Sequence, residues 1–140
     1  MRLLPLLSLP LILYNILALG GSMTAHHDIP QLLASARAIP MFSGDVWNIS
    51  LGDLLLLFGL LMLFIEIVKA TRSSSSQLIN HGLSMLVFVI ALVEFIVLKG
   101  FANSTFFFLM LYTLFDVIAG YTISVISAEH DLGIGRVERE

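Results

Sequence analysis

Four carboxylates stand inside or at the ends of long apolar runs, and they have the most chemistry to offer. Asp116 lies at the midpoint of residues 104–127, a stretch reading STFFFLMLYTLFDVIAGYTISVIS. Glu94, Glu66 and Asp53 occupy two neighbouring runs. A carboxylate at the centre of a bilayer costs about 3 kcal/mol even on insertion scales, so it turns towards protein, water or a partner rather than lipid. With the N-terminus inside, the order from the outer face inward is Asp53, Glu94, Asp116, Glu66. At the helical rise, Glu94 is roughly 7 Å below the outer end of its run and Asp116 roughly 18 Å below the start of its own. Such a staircase could pass protons across the membrane.

Each acid also has a reading that needs no transport. Ser50-Leu-Gly-Asp53 fits a capping box, with Ser50 capping the helix that Asp53 enters. Glu66 is within reach of Lys69, Arg72 or water at the inner face. Glu94 has Lys99, Asn15, Tyr14 and Tyr112 as candidate partners. Asp116 has no basic residue at its depth. It is therefore protonated, bonded to Asn15, Tyr14 or Thr113, or answered by a partner protein. Asp116, Glu94, Glu66, Asn15 and Tyr112 form the candidate intramembrane site for a partner or a proton.

The remaining reactive residues point to little. His26-His27-Asp28 lacks a distant third ligand, and adjacent loop residues rarely complete a metal site alone. His81 has no second histidine at its depth, which argues against a bis-histidine haem, and His130 lies near the C-terminus. No phosphate-binding glycine loop, nucleophile elbow or metalloprotease motif occurs. Asn48-Ile-Ser50 and Asn103-Ser-Thr105 match the glycosylation pattern but lie hard against the expected membrane surface. The expectation is no metal and no cofactor, and a membrane enzyme or a quinone- or lipid-binding protein is the least supported class. The chain contains no cysteine, which excludes disulfides and thiol chemistry.

The elements that must position these acids are membrane helices. Of 140 residues, 58% are hydrophobic and 12% charged, against about half and a quarter in soluble domains. Mean hydropathy is +0.97. Four runs, about 3–21, 51–68, 78–98 and 104–127, approach or exceed the roughly 20 residues an α-helix needs to cross the hydrocarbon core. The alternating segments of a membrane β-barrel are absent. The first run could be a signal peptide cleaved near Ala18-Leu19-Gly20, but its length and the Tyr14-Asn15 interruption favour a retained helix. Pro10 is expected to kink it.

Each run carries a small or polar stripe: Ser8, Asn15 and Ser22 with Ala18; Gly52, Gly59 and Glu66; Asn80, Ser84, Ala91 and Glu94; and Tyr112 through Asp116 and Gly120 to Ser127. Small residues let membrane helices approach, and polar ones bond across the interface. The fold expected is an all-α four-helix transmembrane bundle with these stripes inward. Arg2, Lys69, Arg72, Arg136 and Arg139 fall on one side and Arg37 and Lys99 on the other, which favours an N-in/C-in orientation.

Between the first two spans, residues 30–39 read as a short surface helix ended by Pro40, with Phe42 and Trp47 suited to the headgroup region. Ser74 and Gln77 suit a cap on the third span. Residues 128–140 read as a mobile cytoplasmic tail. The net charge of −3 and scattered basic residues exclude a nucleic-acid groove.

The block Lys69-Ala-Thr-Arg-Ser-Ser-Ser-Ser-Gln-Leu-Ile-Asn-His-Gly-Leu-Ser-Met-Leu-Val-Phe88, with Leu114-Phe-Asp-Val-Ile-Ala-Gly120 downstream, resembles small four-span inner-membrane proteins of proteobacteria. That resemblance covers the chain from the second span onward. It implies a bacterial inner-membrane location and no activity. Together these features point to an accessory or assembly subunit of a larger membrane complex, packed against lipid and a membrane-protein partner or further copies of itself. The alternative is a small oligomeric transporter or proton-coupled carrier using the intramembrane carboxylates.

Overall fold

A computed structural model of the chain describes residues 5–23, 29–71 and 77–137. Helix α1 (Ser8–Met23) is followed by the short α2 (Ile29–Leu33) and by two strands, β1 (Ala36–Pro40) and β2 (Val46–Ser50). Helices α3 (Leu51–Ala70), α4 (Gln77–Val97) and α5 (Ser104–Val137) complete the chain. Three stretches, Leu51–Ala70, Asn80–Val97 and Ser104–Ile126, are long and apolar enough to cross a membrane, and Ser8–Gly20 is a shorter apolar helix. The protein is a helical membrane protein.

Helix α5 is the centre of the bundle, packing against both α3 and α4, which scarcely meet each other. Sequence explains the close approach of α3. Its buried residues are Gly52, Leu55, Gly59, Leu63 and Glu66, so the heptad of two glycines and an acid does face inward. A Cβ on Gly59 would lie 2.7 Å from Leu109 Cδ2 and 3.1 Å from the Tyr112 ring. Hydrogen at that position is what lets α5 close on α3. Ser84 and Ala91 of α4 and Thr113, Asp116 and Gly120 of α5 are likewise buried. Leucine, isoleucine and phenylalanine dominate the outward faces.

Helix α1 crosses the bundle, and its stripe differs from the expected one. The buried residues are Pro10, Leu11, Tyr14 and Ala18, with Leu7 just before the helix on the same face as Leu11 and Tyr14, and Ser8 and Asn15 at the edge. Apolar burial outweighs the polar heptad here. Pro10 falls in the first turn, where an N–H has no intrahelical partner, so the kink expected from it is not required. Tyr14, Phe101 and Phe106 stack with ring centroids 4.7–5.2 Å apart and close the end of the bundle beside the α4–α5 connection.

The connection between α1 and α3 corrects the sequence reading. The helix expected over 30–39 ends at Leu33, and Ala36–Pro40 instead pairs antiparallel with Val46–Ser50. The register sets Arg37 opposite Ile49 and Ile39 opposite Trp47. The tight turn is closed by Met41 N–H to Asp45 O at 2.8 Å and Gly44 N–H to Met41 O at 3.0 Å. Gly44 has φ +92°, which favours glycine. The helical pattern of 30–39 loses because Val46, Trp47 and Ile49 form a strand that needs a partner edge. Pro40 therefore ends a strand, not a helix.

Helix α5 continues past the apolar stretch Ser104–Ile126, which matches the fourth run. It runs 34 residues, to Val137, through most of the segment expected to be a tail. The expected cap from Ser74, the His26-His27-Asp28 cluster, Arg72 and residues 138–140 lie outside the described residues.

Candidate functional site

The Ser50–Asp53 motif is built as its spacing dictates. Ser50 N–H donates to Asp53 Oδ2 at 2.8 Å, and Asp53 N–H donates to Ser50 Oγ at 3.1 Å. The Ser50 hydroxyl also donates to Asp53 Oδ2 at 2.7 Å. Both side chains thus serve the start of α3, and Asp53 takes no part in a chain of acids.

Glu94 and Asn15 meet. The Asn15 amide donates to Glu94 Oε2 at 3.1 Å and to Leu11 O at 3.1 Å, tying α1 to α4. Of the partners open to Glu94 in the sequence, Asn15 is the one the fold selects. Tyr14 goes elsewhere: its hydroxyl donates to Gly100 O at 2.8 Å and accepts from the Asn103 amide. Asn103 Oδ1 in turn accepts from Phe106 N–H at 3.1 Å, at the start of α5. The Tyr112 ring is brought to Gly59 rather than to Glu94.

Asp116 is 5% exposed, and its partner is one the sequence reading did not single out. The Ser84 hydroxyl donates to Asp116 Oδ2 at 2.7 Å. Thr113 instead donates to Met110 O of its own helix at 2.6 Å. Asn15 is engaged with Glu94 and Leu11, and Tyr14 with the α4–α5 connection. A signal for Ser84 was available, because Ser84 and Asp116 lie at matching distances from the short loop joining their antiparallel helices. Hydroxyls can donate to a carboxylate or accept from a carboxylic acid, so this pair accommodates either form of Asp116.

Glu66 is 1% exposed, the most enclosed of the acids. Leu6 N–H donates to Oε2 at 3.0 Å, the Asn80 amide donates to Oε1 at 3.3 Å, and Lys69 Nζ lies 3.3 Å from Oε2. The Lys69 contact was foreseen. The Leu6 contact was not, because a backbone N–H carries no sequence mark. About two turns beyond Asp116 on α5, His81 Nε2 and Ser124 Oγ are 2.6 Å apart, with the imidazole over Gly120. Glu66, His81 and Lys69 are near enough to act electrostatically on Asp116. The half of the bundle holding the C-terminal end of α3 and the N-terminal end of α4 thus gathers Glu66, Asn80, His81, Ser84, Asp116 and Ser124. The expected staircase resolves into a capping group, an α1–α4 clasp and this cluster.

No protein-family model, curated protein or solved structure matches the chain.

Proposed function

We propose that this protein is a four-span bacterial inner-membrane protein, N-in and C-in, acting as an accessory or assembly subunit of a larger membrane complex. One observation carries the reading. Each carboxylate within the bundle is held by a donor from another part of the chain: Glu94 by Asn15, Asp116 by Ser84, Glu66 by Leu6 and Asn80. These polar groups are committed to fixing helices, while the hairpin between α1 and α3 turns Phe42, Val46 and Trp47 outward. The fourth span in this reading is α1. At 16 residues it is about 24 Å long, and its attachments support a crossing. Leu6 bonds Glu66 near the C-terminal end of α3, whereas Tyr14 bonds Gly100 between α4 and α5. The bias of basic residues supports the orientation.

Purification of the tagged protein in a mild detergent tests this. Stoichiometric recovery with other membrane subunits is expected. Recovery of the chain alone, under every gentle extraction condition, would remove the reading.

A second reading rests on the pair Ser84–Asp116, which tolerates a proton and has Glu66 and His81 in electrostatic range. It makes the protein a proton-coupled carrier. In liposomes, Asp116→Asn then abolishes pH-driven flux, and unchanged flux ends the idea.

A further inference from the structure

The hairpin covers part of the first turn of α3 and leaves a cleft of about 460 Å3, whose lining includes Arg37, Ile39, Ile49, Leu51 and Leu54. That volume falls in the range of about 300–1,000 Å3 common for small-molecule sites. Ile39 belongs to β1 and Leu54 to the first turn of α3, yet they line one space. The hairpin therefore bends over this face of α3 instead of continuing its axis.

Directly paired residues of an antiparallel ladder project to one side, and so do residues two apart. Arg37, Ile39, Trp47 and Ile49 consequently share a face of the hairpin. That face is apolar except for the guanidinium, and no carboxylate lines the cleft. The nearest acid in sequence, Asp53, already accepts from both the backbone and the hydroxyl of Ser50. Below the cleft, Leu54, Leu57 and Leu61 form a continuous exposed strip along α3. Trp47 and Phe42, both exposed, suit the level where headgroups meet hydrocarbon.

We propose that this cleft binds an anionic phospholipid of the surrounding bilayer. The acyl chain lies along Leu54, Leu57 and Leu61, and the phosphate is held at Arg37. The inference rests on α3 spanning the membrane and is independent of whether the protein has a protein partner. An arginine fork matches two phosphate oxygens, which a zwitterionic headgroup offers with a competing cation attached. The cleft therefore selects for net negative lipid.

Trp47 is the one tryptophan of the chain, so its fluorescence reports on this face directly. The protein is reconstituted in vesicles of fixed phosphatidylglycerol and phosphatidylcholine content, with bromine-labelled acyl chains on one lipid or the other. Net charge is then constant, and only the position of the quencher changes. Brominated phosphatidylglycerol is expected to quench Trp47 as though enriched about fivefold over its mole fraction, the scale of one basic residue against an anionic lipid surface. Arg37→Gln should return quenching to the mole fraction, and Arg37→Lys, which keeps the charge but loses the fork, should keep only part of the preference. Circular dichroism of each variant verifies an intact fold. Equal quenching in the unaltered protein overturns the proposal, as does a preference that survives Arg37→Gln. A protein occupant of the cleft would show itself as weak quenching by both lipids and would equally overturn it.

Discussion

The backbone N–H of Leu6 donates to Glu66 Oε2 across 3.0 Å, joining the turn that precedes α1 to the C-terminal half of α3. The same carboxylate accepts from Asn80 of α4. One acid thereby gathers three segments, while its ion pair with Lys69 engages a half-exposed ammonium that can also reach water. The hydrogen bonds, rather than the ion pair, account for its burial.

Replacement of Glu66 by Leu strands these donors. A buried donor left without its acceptor costs about 1–3 kcal/mol, and that is the expected loss of stability. Lys69→Met should cost under about 1 kcal/mol, because its ammonium is half-exposed and Leu6 and Asn80 still donate to the carboxylate. Unfolding of both variants in mixed detergent micelles measures the difference. A larger effect for Lys69→Met would mean that charge holds Glu66.

Ser84 and Asp116 are expected to behave as a unit. Ser84→Ala leaves the buried Asp116 without its donor and should lower stability by about 1–3 kcal/mol. Asp116→Leu in the Ser84→Ala background should recover most of that loss, because removing both partners of a buried pair is close to neutral. A double-mutant cycle checks this, and additivity within about 0.5 kcal/mol would show that the two side chains are not coupled.

Gly59 sets the distance between α3 and α5. Gly59→Ala places a methyl group against Leu109, itself 1% exposed, and the Tyr112 ring. Overpacking of about 1–3 kcal/mol is expected, with Gly59→Leu worse. Cross-linking between cysteines placed at Leu56 and Tyr112 would fall in the same order. Full cross-linking in Gly59→Leu contradicts the close contact.

Ser50→Ala removes the cap of α3 and should cost about 1 kcal/mol. Ser50→Asp keeps an acceptor at the cap but sets two carboxylates together, so it should restore little. Thermal denaturation of the three proteins ranks them.

Much of the bundle is legible from residue types alone. Gly52, Gly59 and Glu66 repeat every seven residues, and close packing of α3 on α5 follows from that spacing. The capping box is a local motif, so nothing distant could disturb it. The polar stripe of α1 is less readable because Leu7 and Leu11 gain more from burial than Ser8 does. The hairpin is obscured by Ile29, Leu32, Leu33 and Ala36, which fit a helical face well. Only the partner strand, with Gly44 in the turn, decides against it. Leu6 as a donor to Glu66 is invisible to any residue pattern, and Ser84 opposite Asp116 needs the register of two helices.

The placement of α5 bears on how the chain is made. Helices α3 and α4 scarcely touch, and each finds its main neighbour in α5, which is synthesised after both. During insertion the earlier helices therefore enter the bilayer with their inward faces unmatched. Gly59 and Ser84 wait in lipid, or in the insertion machinery, until Tyr112 and Asp116 arrive. Interrupting translation before α5 emerges should leave loosely associated helices open to membrane proteases, so the arrival of α5 acts as a quality checkpoint on α3 and α4.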